Sequence, residues 1–288
     1  MAQINRYLAP RSLEEAAGLL RGGGVSVLAG GTDLMPQSRA GRIEPQPILM
    51  SIRRVDELCG IGETEGCVRI GALNTITQLR DSMLVHERLP ALWQACDHFA
   101  SEQIRNVATI GGNICNASPA GDTLVPLILS DARVLLASKP NGMLVRRTMP
   151  IADFLLAPGR TARAAHELLA GVEVPLPPKS FVGAFYKLGT RPALDISVVS
   201  IGVAAVRAGA RLRQVRVAFG AVAPRPIRAA AVEAALEGRT LDDEVIVAAA
   251  AAADADILPI SDVRASDWYR REMVKNALTR MLEHVRDG

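Results

Sequence analysis

Residues 27–34 read Val27-Leu-Ala-Gly-Gly-Thr-Asp-Leu34, and residues 109–122 read Thr109-Ile-Gly-Gly-Asn-Ile-Cys-Asn-Ala-Ser-Pro-Ala-Gly-Asp122. Each places two glycines directly after an apolar or β-branched run, where a strand ends and the chain turns. Glycine permits φ > 0 and a close approach of backbone to ligand. Successive exposed N–H groups then form a concave anion site. Two such loops facing one another suit the two phosphates of a dinucleotide, with Thr32, Thr109, Asn113 and Asn116 adding short side-chain donors. Neither loop is GxGxxG or GxxxxGK[ST], which sets Rossmann and P-loop readings aside. Paired glycines are also ordinary turn residues. The residues alone therefore lead to a phosphate or nucleotide site of unspecified kind.

The flanking sequence places these loops in an α+β chain. Ser12-Leu-Glu-Glu15 reads as a capping box, with Ser12 as N-cap and Glu15 reaching back to it, for a helix that runs to about Leu20 and ends at Gly22-Gly23-Gly24. Val25–Leu28 and Ile48–Ile52 read as strands, so residues 1 to about 55 form a small α/β unit. Residues 56–176 read as a mixed region. It has strands at Cys67–Gly71 and Val134–Ala137 and helices at Thr75–Arg80 and Pro90–Phe99. Residues 109–122 form a Gly/Asn/Ser-rich loop, and Glu167–Val174 is ambiguous between helix and strand. Pro175, Pro177 and Pro178 mark the boundary. From 177 to 288, Phe181–Leu188, Ser197–Val206 and Arg213–Phe219 read as antiparallel strands. Helices follow at about 228–236, 241–255 and 267–285, the last with Val274, Leu278, Met281 and Val285 on one face.

The 288 residues carry a formal net charge of +3 with both signs interspersed, and no basic run points to nucleic acid. Cys59, Cys67, Cys96 and Cys115 form no CxxC pair and no iron–sulfur spacing. The first three read as small apolar filler. His86, His98, His166 and His284 are scattered and match no catalytic role. The N-terminus lacks a signal-type apolar core, and the longest apolar stretch, Val245–Ala253, is too short to span a bilayer. The expectation is a cytoplasmic protein.

The strings LAGGTDL (28–34) and RNVATIGGNICNASPAGD (105–122) resemble the flavin-binding medium subunit of the molybdenum hydroxylases. That family includes xanthine dehydrogenase, carbon monoxide dehydrogenase and bacterial dehydrogenases of N-heteroaromatic compounds such as quinoline. RYLAPRSLEEAAGLL (6–20), VEVPLPP (172–178), YKLGTRPALDIS (186–197) and AFGAVAPRPIR (218–228) extend the resemblance over essentially the whole chain. It implies a two-part FAD-binding domain over 1–176 and a C-terminal α+β domain over 177–288. By the resemblance, Val27, Leu28, Ala29, Gly30, Gly31, Thr32, Asp33 and Leu34, with Thr109, Ile110, Gly111, Gly112 and Asn113, wrap the FAD pyrophosphate and ribityl chain. Phe99, Asp122, Leu169 and Lys187 match further cofactor contacts, and Asp195 lies in a loop near the flavin ring. As residue types, Phe99 and Leu169 also suit plain core, Lys187 a solvated charge, and Asp122 the N-cap of a helix beginning at Thr123. The resemblance further implies molybdopterin on a large partner subunit, two [2Fe–2S] clusters on a small one, and a dimer of heterotrimers. It makes this chain an electron-transfer flavoprotein subunit with no catalytic acid or base and no metal of its own. A stand-alone FAD oxidoreductase of the same superfamily is the alternative.

Overall fold

The computed structural model describes residues 4–178, 180–191 and 194–287. The first unit holds β1 (Arg6–Leu8), α1 (Leu13–Leu20), β2 (Val25–Leu28), α2 (Leu34–Arg39) and β3 (Ile48–Ser51). Its sheet is wholly parallel, in the order β1-β3-β2. Ser12 caps α1 by accepting the Glu15 N–H at 3.1 Å. The expected capping box is not closed: Glu15 Oε2 accepts from Arg11 N–H at 2.8 Å, one residue earlier than Ser12. The apolar stripe Leu13, Ala16 and Leu20 packs on Met50, Ile52 and the side of the next sheet.

The second unit begins with β4 (Ile61–Thr64), β5 (Cys67–Gly71), α3 (Ile76–Arg80), α4 (Met83–Arg88), α5 (Pro90–Asp97), α6 (Glu102–Arg105) and α7 (Ile110–Asn116). It continues with α8 (Leu124–Leu129), β6 (Arg133–Ser138), β7 (Val145–Pro150), α9 (Ile151–Phe154), β8 (Leu155–Ala157), β9 (Arg160–Thr161) and β10 (Leu168–Pro175). The main sheet is antiparallel, β4-β5-β10-β6-β7. The ambiguous segment at 167–174 is therefore a central strand, bonded to β5 and β6. Residues 109–122 are not the irregular loop expected from their composition. Thr109, in extended conformation, caps a helical stretch through its Oγ1, and the chain winds through both glycines before Ala117 ends it at φ +46°. Tertiary contact overrides the low helix propensity of glycine here.

The third unit is an antiparallel sheet, β11 (Phe181–Leu188), β12 (Val199–Ala208), β13 (Arg211–Gly220) and β14 (Ile227–Arg228). It is followed by α10 (Ala230–Leu236), α11 (Asp243–Asp256) and α12 (Asp267–Asp287). β12 is buried along most of its length because both faces are covered. Ile201, Val203 and Ala205 point toward the core that α10–α12 close. The alternate residues face α8, where a Cβ on Gly202 would already lie 3.1–3.2 Å from Leu129 and Val125 side chains. Small residues on this face let α8 lie directly on the sheet, and Phe185, Ala204 and Ala218 join the core of the second unit. The C-terminal unit is thus packed against the wall of the cleft described next. Among the described residues, no helix is long and apolar enough to cross a membrane.

Candidate functional site

A cleft of about 490 Å³ lies between the two glycine segments, within the range of small-molecule and cofactor sites. Val27, Ala29, Gly30, Gly31, Thr32, Asp33 and Leu34 line one side, and Thr109, Gly112 and Asn113 the other. Phe99 and Asp122 close it. Leu28, Ile110, Gly111, Leu169 and Lys187 do not line it. Ile110 is buried behind the lining, and Leu169 is buried on β10 opposite Leu136.

The first segment leaves β2 and turns at Gly31, whose φ of +78° is the left-handed region that disfavours any side chain. Regular bonding resumes only where Met35 N–H meets Gly31 O and Gln37 N–H meets Asp33 O. The N–H groups of Gly31, Thr32, Asp33 and Leu34 have no acceptor among the described residues. A run of free donors beside a cleft is a cradle for an anionic group. Gly30 has a separate task. A Cβ there would fall 2.1 Å from the Val107 carbonyl oxygen, so the first segment presses on the chain just ahead of the second.

The second segment does not repeat the arrangement. Ile110 N–H donates to Asn74 O at 3.0 Å, Gly111 N–H to Ala72 O at 2.9 Å, and Gly112 N–H to Thr109 Oγ1 at 3.0 Å. The N–H groups of Ile110, Gly111 and Gly112, expected to be exposed, are bonded into the protein, and among the described residues the run of four free N–H groups lies in the first segment. What the second segment offers is surface and side chains. Gly111 has no space for a Cβ, which would meet Ala72 Cβ and O at 2.7 Å, so α7 presses on the end of β5. Gly112 faces the cleft, with Thr109 Oγ1 alone near the position of its missing Cβ. Asn113 Oδ1 accepts from Thr123 Oγ1 at 2.7 Å, which fixes the amide so that its NH₂ is the free end. Asn116 Oδ1 accepts from Gln37 Nε2 at 3.3 Å and ties the two segments together.

Asp122 does not cap α8, whose N-cap Thr123 makes no side-chain cap bond. Its Oδ2 accepts from Lys187 Nζ at 2.7 Å and its Oδ1 from the Ser197 hydroxyl at 2.9 Å, while Lys187 also donates to His98 O at 3.2 Å. Lys187 is therefore no solvated charge: its side chain is 8% exposed and that of Asp122 10%. Burial pushes the Asp122 carboxyl above its ordinary value, against the pull of the ammonium and the hydroxyl. The pair joins the cleft to β11 and to the residues just before β12. Asp195 reaches the cleft rim beside Ile196. Its carboxylate accepts from Thr190 Oγ1 at 2.6 Å and from Thr190 N–H, bonds that hold it below its ordinary value.

The structure adds cleft residues with no local signal in the sequence. Gln37, Ala100 and Ile104 enter from short helices and turns, and Gly159 arrives from the β8–β9 hairpin through its N–H bond to Ala117 O. Cys115 also lines the cleft, its thiol pushed up to about 11 by burial. Cys59 is exposed rather than filler, whereas Cys96 is fully buried. None of the four histidines lines the cleft, and His86 stacks edge-on to Trp93 with ring centroids 4.6 Å apart. Among the described residues, no group of three His, Cys, Asp or Glu side chains is placed to hold a metal ion.

The donor set fits an anionic dinucleotide: free N–H groups on one wall, neutral amides and hydroxyls on the other, and an aromatic edge at Phe99. Comparison with known proteins agrees. Residues 2–177 match the family model described as the FAD binding domain in molybdopterin dehydrogenase. Residues 184–285 match that of the CO dehydrogenase flavoprotein C-terminal domain. The chain is similar to the xanthine dehydrogenase FAD-binding subunit of Escherichia coli O157:H7, 33% identical over 90% of this chain and 88% of that one. It is equally similar to the glyceraldehyde dehydrogenase medium chain of Sulfolobus acidocaldarius, 33% identical over 93% and 94%. The solved carbon monoxide dehydrogenase of Hydrogenophaga pseudoflava, in a form lacking the Mo-pyranopterin moiety, superposes with a TM-score of 0.91. It is 34% identical and covers 97% of this chain and 96% of that one.

Proposed function

The chain belongs to the FAD-binding flavoprotein subunits of the molybdopterin dehydrogenases, and from that premise we propose that it takes electrons from [2Fe–2S] clusters on a partner subunit and passes them to an external acceptor. FAD is its cofactor, and it supplies the redox chemistry when bound. A large molybdopterin subunit and a small iron–sulfur subunit complete the assembly in this proposal, as a dimer of heterotrimers. Hydroxylation of the substrate then happens on the large subunit. A substrate such as an N-heteroaromatic compound is the class we favour. Relatives of matched identity are named for xanthine, itself an N-heteroaromatic compound, and for glyceraldehyde, which is not one.

The observation that carries the reading is the row of free N–H groups at Gly31–Leu34 facing Asn113 and Thr109 across one cleft. These N–H groups would hold the pyrophosphate oxygens, and Asn113 and Thr109 would hold the ribityl chain. Phe99, largely buried at the cleft edge, would contact the cofactor. Lys187 acts through Asp122, holding the C-terminal unit against the cleft. The FAD-binding domain spans 1–176, with parts at about 1–55 and 56–176, and the C-terminal domain spans 177–288; the ranges matched by the two family models support this division.

The test is composition and assembly. The purified chain is expected to carry FAD at about one per polypeptide and no iron or molybdenum, and co-expression with the neighbouring large and small subunits to yield a three-chain complex. In that complex, a flavin-free variant keeps substrate-driven reduction of the clusters while losing turnover with the acceptor. Stoichiometric iron in the pure chain, or substrate oxidation by the chain alone, overturns the proposal and favours a stand-alone flavoenzyme.

A further inference from the structure

The turn that carries Phe99 into the cleft is held by one side chain. Helix α5 ends at Asp97, the chain passes through Phe99 and Ala100, and Ser101 opens α6 by accepting the Ile104 N–H. Ala100 sits at φ +35°, a left-handed value that a non-glycine residue rarely adopts. The turn aims three carbonyls at one point. Arg105 Nη1 donates to Phe99 O at 2.7 Å, Ala100 O at 3.1 Å and Asp97 O at 3.3 Å. Arg105 Nη2 donates to Glu102 Oε2 at 2.7 Å, and Glu102 is itself held by Arg80 at 2.9 Å. Arg105 Nε, by contrast, is buried with no acceptor among the described residues. The guanidinium thus leaves one of its own donors unsatisfied while collecting the carbonyls of a strained turn. Nη1 shares its two hydrogens among the three carbonyls while the other arm of the fork holds Glu102; a lysine ammonium has donors enough for the carbonyls but no second arm to hold Glu102 at the same time.

Phe99, Ala100 and Ile104 line the cleft and Arg105 does not. We propose that Arg105 is a positioning residue of the flavin site: by gathering these carbonyls it fixes the Phe99–Ala100 turn and so sets the aromatic wall against which the cofactor lies. This rests on the reading of the cleft as the FAD site. Without the guanidinium, the converging carbonyls repel one another, the left-handed turn relaxes, and the Phe99 ring leaves its place.

The full-length chain is prepared as wild type, R105M, R105K, F99L and R105M/F99L. Each is titrated with FAD by fluorescence quenching, the visible circular dichroism of the bound flavin is recorded, and the flavin-free protein is melted. R105M is expected to bind FAD about tenfold more weakly, as befits one net charge-assisted hydrogen bond or more, with an altered dichroism band. R105K is expected to restore neither affinity nor band. If Arg105 works through Phe99, the losses in R105M and F99L are not additive in the double variant. Should R105M fail to fold, R105K carries the same comparison. Wild-type affinity and dichroism in either Arg105 variant, or additive losses, overturn the proposal while leaving the flavin site standing. A wild-type chain that takes up no FAD removes the flavin reading itself, and this inference with it.

Discussion

The two glycine segments share a Gly-Gly pair after an apolar residue and do different work. In the first, Gly31 turns with positive φ and four successive N–H groups have no acceptor among the described residues. In the second, the N–H groups of Ile110, Gly111 and Gly112 are bonded to Asn74, Ala72 and Thr109, and the segment is a helical wall. The second is also tied to the C-terminal unit, through Asp122 and Lys187. One segment offers its backbone N–H groups to the cleft and the other shapes the cleft with its packing. A glycine pair therefore says that backbone comes close to something, without saying whether that is a ligand or another part of the protein.

The largest expected effect breaks the close packing behind each glycine segment. Gly30→Val and Gly111→Val each drive a Cβ into backbone, Val107 O at 2.1 Å and Ala72 O at 2.7 Å. A loss of about 3 kcal/mol or more is expected, read as a lower melting temperature of the flavin-free chain. Melting at the wild-type temperature in either variant means that its segment does not press on neighbouring backbone as described.

Removing the tie on one side only comes next. Lys187→Met leaves Asp122 buried without its cation, at an expected cost of about 3 kcal/mol. Lys187→Met/Asp122→Asn is expected to lose much less than the sum of its single changes, and additive losses in the double-mutant cycle end the argument for a coupled pair.

A finer test separates the two cleft glycines. Gly31→Ala forces alanine to φ +78° and is expected to destabilise the flavin-free chain by about 1 kcal/mol. Gly112→Ala lies in helical backbone, where alanine is favoured over glycine by just under about 1 kcal/mol, which offsets its tight approach to Thr109 Oγ1. Flavin titration should show both variants weakened, since one distorts the N–H row and the other narrows the cleft. Equal stability losses at both positions contradict the division of roles.

A smaller effect tests stability away from both segments. Arg147 hydrogen-bonds Glu167 and holds its carboxyl below its ordinary value, with burial opposing and the Ala164 N–H assisting. The folded carboxylate thus takes up a proton less readily than the unfolded one. Its stabilisation is present above about pH 4.5 and fades as pH falls through the lower, folded value. The melting temperature of wild type should exceed that of Glu167→Gln at neutral pH and converge on it in acid, with FAD affinity of the two equal at pH 7. The smallest effect is at Gly22, which has ordinary φ and open space where a Cβ would point. Gly22→Ala should change neither flavin content nor melting temperature.

Much of the fold is legible locally. Ser12 capping α1, Pro90 opening α5, the alternation in β11–β13 and the single apolar face of α12 all follow from neighbours a few residues apart. The segment at 167–174 was not legible, because a strand buried on both faces loses the alternation that distinguishes it. Nor was α7: its composition favours a turn, and what makes it helical is the Thr109 cap together with bonds to Asn74 and Ala72.

By itself, then, the amino-acid sequence determined the family and the flavin, through the resemblance its motifs carry, and the two segments that flank the cleft. Short-range periodicity and caps added many, though not all, of the strands and helices. Tertiary structure alone decided which N–H groups stay free, why Gly30 and Gly111 admit no side chain, and that Asp122 meets Lys187 and Ser197 rather than a helix end. It also placed the guanidinium of Arg105 behind Phe99. The reason is physical: a donor is free or bonded, and a Cβ fits or collides, according to atoms that chain folding brings in from distant positions, and local sequence does not contain them.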